Sequence, residues 1–225
     1  MSFKLSVDLI EWNMKAAQKV SDPIKEVIQD AIKASCTIYV KTGKEQWTGS
    51  GFHLGNGYIA TAGHVAPEDL KSMGAQIIIT FDGQSLYEAS VVLSSDEYDS
   101  AVLYCQDIAR IVPSVNLADS DTVEIGDIIA VIGAPEGWQD TATVGRVSNI
   151  HQSVPGDAGP SWQDIIFIDA DILQGVSGGM VIGTDGLVIG HVIGVTGQHA
   201  DVGVGENSVC PINKLKLLLN SISSV

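Results

Sequence analysis

Positive charge is scarce in this sequence. Its 225 residues include 12 Lys and Arg against 27 Asp and Glu, which gives a formal net charge of −15. Binding to a nucleic-acid backbone requires clustered basic side chains, and so does docking on an anionic membrane surface. The composition therefore argues against nucleic acid and membranes as partners.

Cysteine is also rare, and long hydrophobic runs are missing. The three cysteines (Cys36, Cys105, Cys210) are odd in number and widely spaced, which predicts neither a disulfide framework nor a zinc site. No apolar stretch reaches the roughly 20 residues that span a bilayer. The first residues lack the basic segment and apolar stretch of a secretory leader. From these features we expect a reducing setting, either cytoplasmic or virion-associated.

Glycine and apolar residues, in contrast, are plentiful. The sequence has 24 glycines and is 45% hydrophobic but only 17% charged, so it can bury a substantial core. Many glycines without a fixed period indicate many tight turns between short strands. Asn56-Gly57 and Asp185-Gly186 are suited to two-residue hairpin turns.

Two series of short β-rich segments predict an all-β protein. Each series contains six segments separated by turn residues, and the stretch 116–127 joins the two series. The predicted strands are 36–40, 51–54, 58–61, 77–81, 91–93 and 101–105, followed by 128–132, 143–151, 165–169, 180–182, 187–195 and 209–211.

Helices are predicted at both ends. Ser21 and Asp22 precede Pro23, which is a typical helix start, and an apolar stripe with helical spacing follows over 24–32. A weaker helical pattern occurs at 9–20, and apolar residues at helical spacing predict a C-terminal helix over 213–222. We expect the stripe to pack against the rest of the chain. The alternative is that the N-terminal helices mediate an oligomer.

Three residues carry the elements of acyl transfer by a serine. His64 lies where a predicted strand ends, Asp99 directly precedes an apolar strand, and Ser177 is followed by two glycines. Such a reaction needs a nucleophile, a base, a carboxylate that orients the base, and N–H donors for the oxyanion. Each residue alone is unremarkable in a loop, but the order His, Asp, Ser is that of chymotrypsin-type enzymes. The other histidines (His53, His151, His191, His199) lack partners at ligand spacing and are expected to be structural.

In these residues and the blocks around them, the sequence resembles the trypsin-like serine peptidases of chymotrypsin fold. Among these peptidases it is most similar to the protease domain of the HtrA/Deg group. The matching blocks run in register over residues 47–222. They are GSGF (49–52), GYIATAGHV (57–65), DSAVL (99–103), LADS (117–120), VEIGD (123–127), AVIGAPEG (130–137), TVGRVS (143–148) and GVSGG (175–179).

The resemblance implies two six-stranded antiparallel β-barrels with the site between them. The predicted organisation is an N-terminal helical extension (1–34), a first barrel (35–115), and a second barrel with a C-terminal helix (116–225). His64 would be the general base, Asp99 would orient it, and Ser177 would form the acyl-enzyme. The N–H groups of Gly175 and Ser177 would form the oxyanion hole. The implied activity is a serine endopeptidase acting on polypeptides without a metal or organic cofactor.

The residues at two positions differ from those usual in the families that the sequence resembles. Val176 stands where HtrA proteins carry Asn and digestive enzymes carry Asp, so it cannot pair with a released N-terminus as that Asp does. Asp171, six residues before Ser177, replaces a small residue and predicts a preference for a basic side chain before the cut. A rim-exposed or internally hydrogen-bonded Asp171 is the open alternative. No PDZ domain of the HtrA type is expected in these 225 residues.

By the same resemblance, Gly194, Val195 and Thr196 would form a wall along which the substrate pairs as an extra strand. Two other functions stay open. One is a non-catalytic binding or assembly module of the same fold, and the other is a protease restricted to self-processing or to one partner.

Overall fold

The computed structural model describes residues 23–43, 45–154, 162–195 and 207–222. The predicted helix at 9–20 lies outside these residues. The described strands are β1 (Ser35–Lys41), β2 (Gln46–Gly55), β3 (Tyr58–Thr61), β4 (Gln76–Thr80), β5 (Tyr87–Ser95), β6 (Ser100–Tyr104), β7 (Ile128–Gly133), β8 (Thr141–Val154), β9 (Trp162–Ile168), β10 (Met180–Gly183), β11 (Val188–Val195) and β12 (Asn207–Pro211). The helices are α1 (Pro23–Ala31), α2 (Leu70–Met73) and α3 (Ile212–Ile222), with 3-10 turns at Ile32–Ala34, Gln106–Ile108, Ser120–Thr122 and Pro135–Gly137.

These strands close into two antiparallel barrels, which confirms the predicted fold class. The first barrel has the order β1-β2-β3-β6-β5-β4, and the second has the order β7-β8-β9-β12-β11-β10. The second order is the first with six added to each number, so both barrels are built on one plan. The exact division at residues 34 and 115 stays a prediction.

Turn chemistry accounts for the sharp reversals. Asn56 and Gly57 both adopt positive φ (53° and 86°), as a type I′ turn between β2 and β3 requires. A Cβ atom on Gly57 would lie 2.4 Å from the carbonyl oxygen of Cys105, so glycine is also needed for close packing. This turn brings the end of β3 into the position that the candidate site uses.

Four apolar clusters organise the interior of the described residues, and the smallest of them contains Ile165, Phe167, Ile193 and Cys210. One fills each barrel, and a third joins the barrels through Phe52, Val102, Ile132 and Met180. The apolar stripe of α1 and the residues Ile212 and Leu215 of α3 belong to this third cluster. The predicted packing of the stripe is thus observed, while an oligomer through the N-terminal helices stays a prediction.

Some elements extend beyond their predicted limits. β2 begins at Gln46 rather than at residue 51, because Trp47 pairs with Val40 and extends the hairpin. α2 was not predicted, because a four-residue helix carries too little periodicity to be recognised. In the described part of the chain, no helix is long and apolar enough to cross a membrane.

Candidate active site

The site begins where β3 ends and β6 starts. Asp99 binds His64 twice: Oδ2 lies 2.8 Å from the ring Nδ1, and Oδ1 accepts the backbone N–H of His64 at 2.7 Å. The Asp99 side chain is only 4% exposed, whereas that of His64 is 47% exposed. The carboxylate is therefore shielded from water while the imidazole remains open to a bound molecule.

This pairing also determines which ring nitrogen carries the proton. A carboxylate can only accept hydrogen bonds, so its bond to the His64 ring requires a proton on Nδ1. In the neutral imidazole, Nε2 is then unprotonated and able to accept a proton. The arrangement prepares His64 to act as a base.

Local backbone geometry brings the two residues together. Asp99 adopts a left-handed conformation with φ 44°, which Asp tolerates better than most residues. Gly63 makes room for it, since a Cβ atom there would lie 3.0 Å from the backbone nitrogen of Ser100 and 3.1 Å from Asp99 Oδ1. A side chain at residue 63 would push the carboxylate away from His64.

The loop before β10 supplies the second half of the site. Ser177 is half-buried, and its carbonyl accepts the backbone N–H of Ser50 at 2.8 Å. A Cβ atom on Gly178 would lie 2.3 Å from Thr61 Oγ1 and 2.7 Å from the nitrogen of Ala62. The residue after Ser177 thus lies against the end of β3, three residues before His64.

Val176 fits this loop without strain. The positive φ angles fall on its glycine neighbours, with 94° at Gly175 and 82° at Gly178, and Val176 itself has no positive φ. Its side chain is 5% exposed and packs in the core of the second barrel. Val176 is therefore a core residue and leaves the backbone bend to the glycines.

The predicted substrate-binding residues lie on both sides of this loop. Asp171 is exposed, and its backbone carbonyl accepts the hydroxyl of Thr143 at 2.7 Å. It lines a cavity of about 290 Å³ whose other walls are mostly apolar. Gly194 and Val195 lie in β11, opposite Ser208 and Asn207 of β12. Thr196 lies outside the described residues.

Asp99 and its neighbour Ser100 each make one contact with His191 of the second barrel that was not foreseen. The ring Nε2 of His191 lies 3.1 Å from the Asp99 carbonyl oxygen and 3.1 Å from Ser100 Oγ. His191 is fully buried, its Nδ1 has no hydrogen-bond partner among the described residues, and burial lowers its pKa. This histidine was expected to be merely structural because nothing near it in sequence points to Asp99, which is 92 residues away.

The cysteines are free and buried. Burial raises the pKa of the Cys210 thiol to about 12, and it raises the pKa of Cys36 as well. These thiols stay protonated and are poor ligands or nucleophiles. Within the described ranges, no cluster of three or more His, Cys, Asp or Glu side chains could hold a metal ion.

Two barrels of one plan, with a His–Asp pair from one and a glycine-flanked serine from the other, define the chymotrypsin-type peptidase architecture. Residues 49–190 match the family model of the trypsin-like peptidase domain. The chain belongs to this family, which confirms the resemblance seen in the sequence.

Within the family, the chain is similar to HtrA and Deg proteins. It is 29% identical over 185 residues to "Probable periplasmic serine endoprotease DegP-like" of Buchnera aphidicola, covering 81% of this chain and 38% of that protein. It is 30% identical to the chloroplastic Protease Do-like 5 of Arabidopsis thaliana, covering 77% of this chain and 56% of that one. The solved structure of the HtrA-type protease AlgW with a tripeptide superposes with a TM-score of 0.74 at 27% identity. The match covers 88% of this chain and 63% of that chain. The chain thus spans less than two thirds of each relative.

The expected cytoplasmic or virion-associated setting is wrong by this comparison. The names of the relatives place them in the periplasm or the chloroplast. The expectation was based on the first residues of the sequence, and secretory leaders are removed from mature chains. Those residues therefore do not report on the compartment.

Proposed function

We propose that this chain is a serine endopeptidase that hydrolyses polypeptides through an acyl-enzyme, with Ser177 as nucleophile, His64 as base and Asp99 as its orienting carboxylate. The observation that carries the proposal is the pair of hydrogen bonds that Asp99 makes with the ring and the backbone N–H of His64, beside the loop of Ser177. Family membership supports the same chemistry.

The proposed reaction has two halves. Ser177 Oγ attacks the scissile carbonyl carbon while His64 Nε2 takes the hydroxyl proton, and the carbonyl oxygen becomes an oxyanion. His64 then gives this proton to the leaving amine as the C–N bond breaks, leaving an ester on Ser177. In the second half, water attacks this ester with His64 again as base, and the acid product leaves with Ser177 Oγ reprotonated.

The oxyanion would be stabilised by the N–H groups of Gly175 and Ser177. Donors held in place before the reaction need no reorganisation when the charge develops, and loss of one such donor costs about 10²–10³-fold in kcat. The positive φ of Gly175 supports this role, because glycine adopts that conformation without the strain of a side chain.

A polypeptide could bind as an additional strand along β11. Gly194 and Val195 pair with β12 on one side, and in the described residues no strand pairs with them on the other. Main-chain bonds to such an edge provide affinity for an extended peptide regardless of its sequence. The net charge of −15 disfavours polyanionic partners.

Labelling with a fluorophosphonate tests the proposed chemistry. Intact mass should show one adduct on the wild type and none on Ser177→Ala or His64→Ala. Casein should be cut by the wild type and left intact by both variants. A folded wild type without an adduct would contradict the proposal and favour a non-catalytic module. A single self-cleavage with intact casein would favour a restricted protease.

For specificity, we propose that Asp171 favours a basic residue before the scissile bond. Its carboxylate is exposed, and among the described residues it forms no ion pair with a Lys or Arg. A bound Arg or Lys would give it a charge-assisted hydrogen bond, worth about 1.5–3 kcal/mol.

Matched peptides that differ only in Arg or Phe before the cut test this preference. The wild type should favour Arg, and Asp171→Asn should lower kcat/KM for the Arg peptide by about 10- to 100-fold, while the Phe peptide changes little. Because the cavity beside Asp171 is lined mainly by apolar side chains, preference of the wild type for Phe is the result that would refute the proposal.

A further inference from the structure

Ser50 of β2 is fully buried and connects the two barrels through its backbone and its hydroxyl. Its N–H donates to the carbonyl of Ser177 at 2.8 Å. Its Oγ donates to the carbonyl of Gly175 at 2.7 Å and accepts the N–H of Ala134 at 2.9 Å. A residue of the first barrel thus contacts both sides of the loop that would form the oxyanion hole.

Ser50 holds one of the two peptide planes beside Gly175, and the N–H of Glu136 holds the other. The carbonyl and N–H of a trans peptide point in opposite directions, so holding one fixes the other. The Gln174 carbonyl accepts the N–H of Glu136 at 3.0 Å, which directs the N–H of Gly175 the other way. Ser50 Oγ holds the following carbonyl, that of Gly175 itself.

Gly175 needs such support because glycine alone does not select one conformation. It populates positive and negative φ about equally, so the peptide planes beside it can rotate at little cost. Without the Ser50 hydroxyl, the Gly175 carbonyl loses its partner across the barrel interface, and the nitrogen of Ala134 also loses its acceptor. The first change loosens the loop before β10, and the second loosens the segment after β7, whose Glu136 N–H binds the Gln174 carbonyl of that loop.

We propose that Ser50 is a positioning residue that keeps the N–H groups of Gly175 and Ser177 directed at the oxyanion. This inference rests on the proposed endopeptidase function. Ser50 acts through the loop backbone and takes no part in proton transfer. Its hydroxyl makes the oxyanion hole of the second barrel dependent on a strand of the first.

Ser50→Ala tests the role of this hydroxyl. We expect kcat on a peptide amide substrate to fall about 10- to 100-fold, somewhat less than the loss of a whole oxyanion donor, with KM within about twofold. Affinity for a peptide aldehyde, whose adduct places an oxyanion in the same site, should fall by a similar factor. Ser50→Thr, which keeps the hydroxyl, should recover most of the activity.

Ser120→Ala is the matched control. Ser120 is also a buried serine, its Oγ accepts the N–H of Asn213, and it lies at the start of a 3-10 turn outside the candidate site. This variant should keep the wild-type kcat. If Ser50→Ala does not fold, Ser50→Cys replaces the hydroxyl by a weak donor of similar shape and should lower kcat in the same way.

The outcomes separate the two proposals. A wild-type kcat in folded Ser50→Ala or Ser50→Cys would overturn the positioning role while leaving the endopeptidase proposal intact. Equal loss in Ser50→Ala and Ser120→Ala would overturn it as well, because a general packing effect would then suffice. A wild type that neither labels with fluorophosphonate nor cuts peptides would overturn both.

Discussion

The two barrels share one strand order but contribute to the candidate site by different means. The first barrel supplies side chains: Asp99 and His64 are joined by hydrogen bonds that depend on their functional groups. The second barrel supplies the Ser177 hydroxyl on a loop whose shape depends on backbone, because glycines on either side of Ser177 adopt positive φ. Substitutions of Asp99 or His64 should therefore remove chemistry and spare the fold, whereas those of the glycines around Ser177 should disturb the fold as well.

The largest effect is expected from Asp99→Asn in the first barrel. The amide nitrogen can donate where the carboxylate accepted, so the imidazole proton moves to Nε2 and His64 can no longer take a proton from Ser177. We expect kcat to fall by about 10⁴-fold while the thermal unfolding midpoint changes little. Steady-state kinetics measures kcat, and calorimetry measures the thermal unfolding midpoint.

Asp164→Asn is the control for this prediction. Asp164 contacts His151 in the second barrel, but both side chains are mostly exposed. The same substitution there should leave kcat unchanged. A similar loss in both variants, or a large loss of stability in Asp99→Asn, would break the contrast between the barrels.

Gly178→Ala should have an intermediate effect, on the backbone of the second barrel. A Cβ atom would lie 2.3 Å from the Ser50 carbonyl oxygen and 2.3 Å from Thr61 Oγ1, at a positive φ of 82°. Strain and overpacking together should lower the free energy of unfolding by on the order of 3 kcal/mol. Urea denaturation would measure it.

Gly74→Ala separates strain from crowding. Gly74 also has a positive φ, of 62°, but nothing lies within 4 Å of the position of its Cβ atom. Its replacement should cost only about 1 kcal/mol. Equal costs at both positions would mean that contact across the barrel interface does not constrain the Ser177 loop.

The smallest effect concerns His191, where the barrels meet behind Asp99. Because burial lowers the pKa of His191, the unfolded chain binds a proton more readily than the folded one. The free energy of unfolding should therefore fall as the pH drops below about 6.5, by at most about 1.4 kcal/mol per pH unit.

His191→Gln isolates this contribution, since glutamine does not titrate and its amide can donate to the Asp99 carbonyl. Urea denaturation from pH 7.5 to 5 should give curves that diverge only at the acid end, with the wild type losing more stability. Parallel curves would show that this contact is not sensitive to protonation.

Local patterns in the sequence were sufficient to predict the strands and an all-β protein, whereas the two closed barrels were implied by the family resemblance. Alternating short segments gave the twelve strands, and Asn56-Gly57 gave a turn whose two positive φ angles the structure displays. The candidate catalytic residues were found because their order and neighbouring blocks match a family. Strand ends were less accurate, because partners such as Val40 for Trp47 lie on another strand.

The supporting contacts could not be predicted in this way. Ser50 makes a hydrogen bond with Gly175, which is 125 residues away in the sequence, and His191 makes one with Asp99, which is 92 residues away. Neither residue has a local pattern that distinguishes it from an ordinary strand residue. Such contacts depend on how two closed barrels are placed against each other, and this placement arises from burial of the third cluster rather than from any single motif.

Closure of the barrels also bears on the physical form of a substrate. A closed sheet leaves few unpaired strand edges, which protects against association with other chains, but in the described residues one such edge remains at Gly194 and Val195 of β11. If the edge at Gly194 and Val195 receives the substrate, a cut site must first exist as several consecutive extended residues with free main-chain groups. Helices and the inner strands of a native protein cannot meet that requirement. Susceptibility to cleavage would then follow the local unfolding free energy of the target protein.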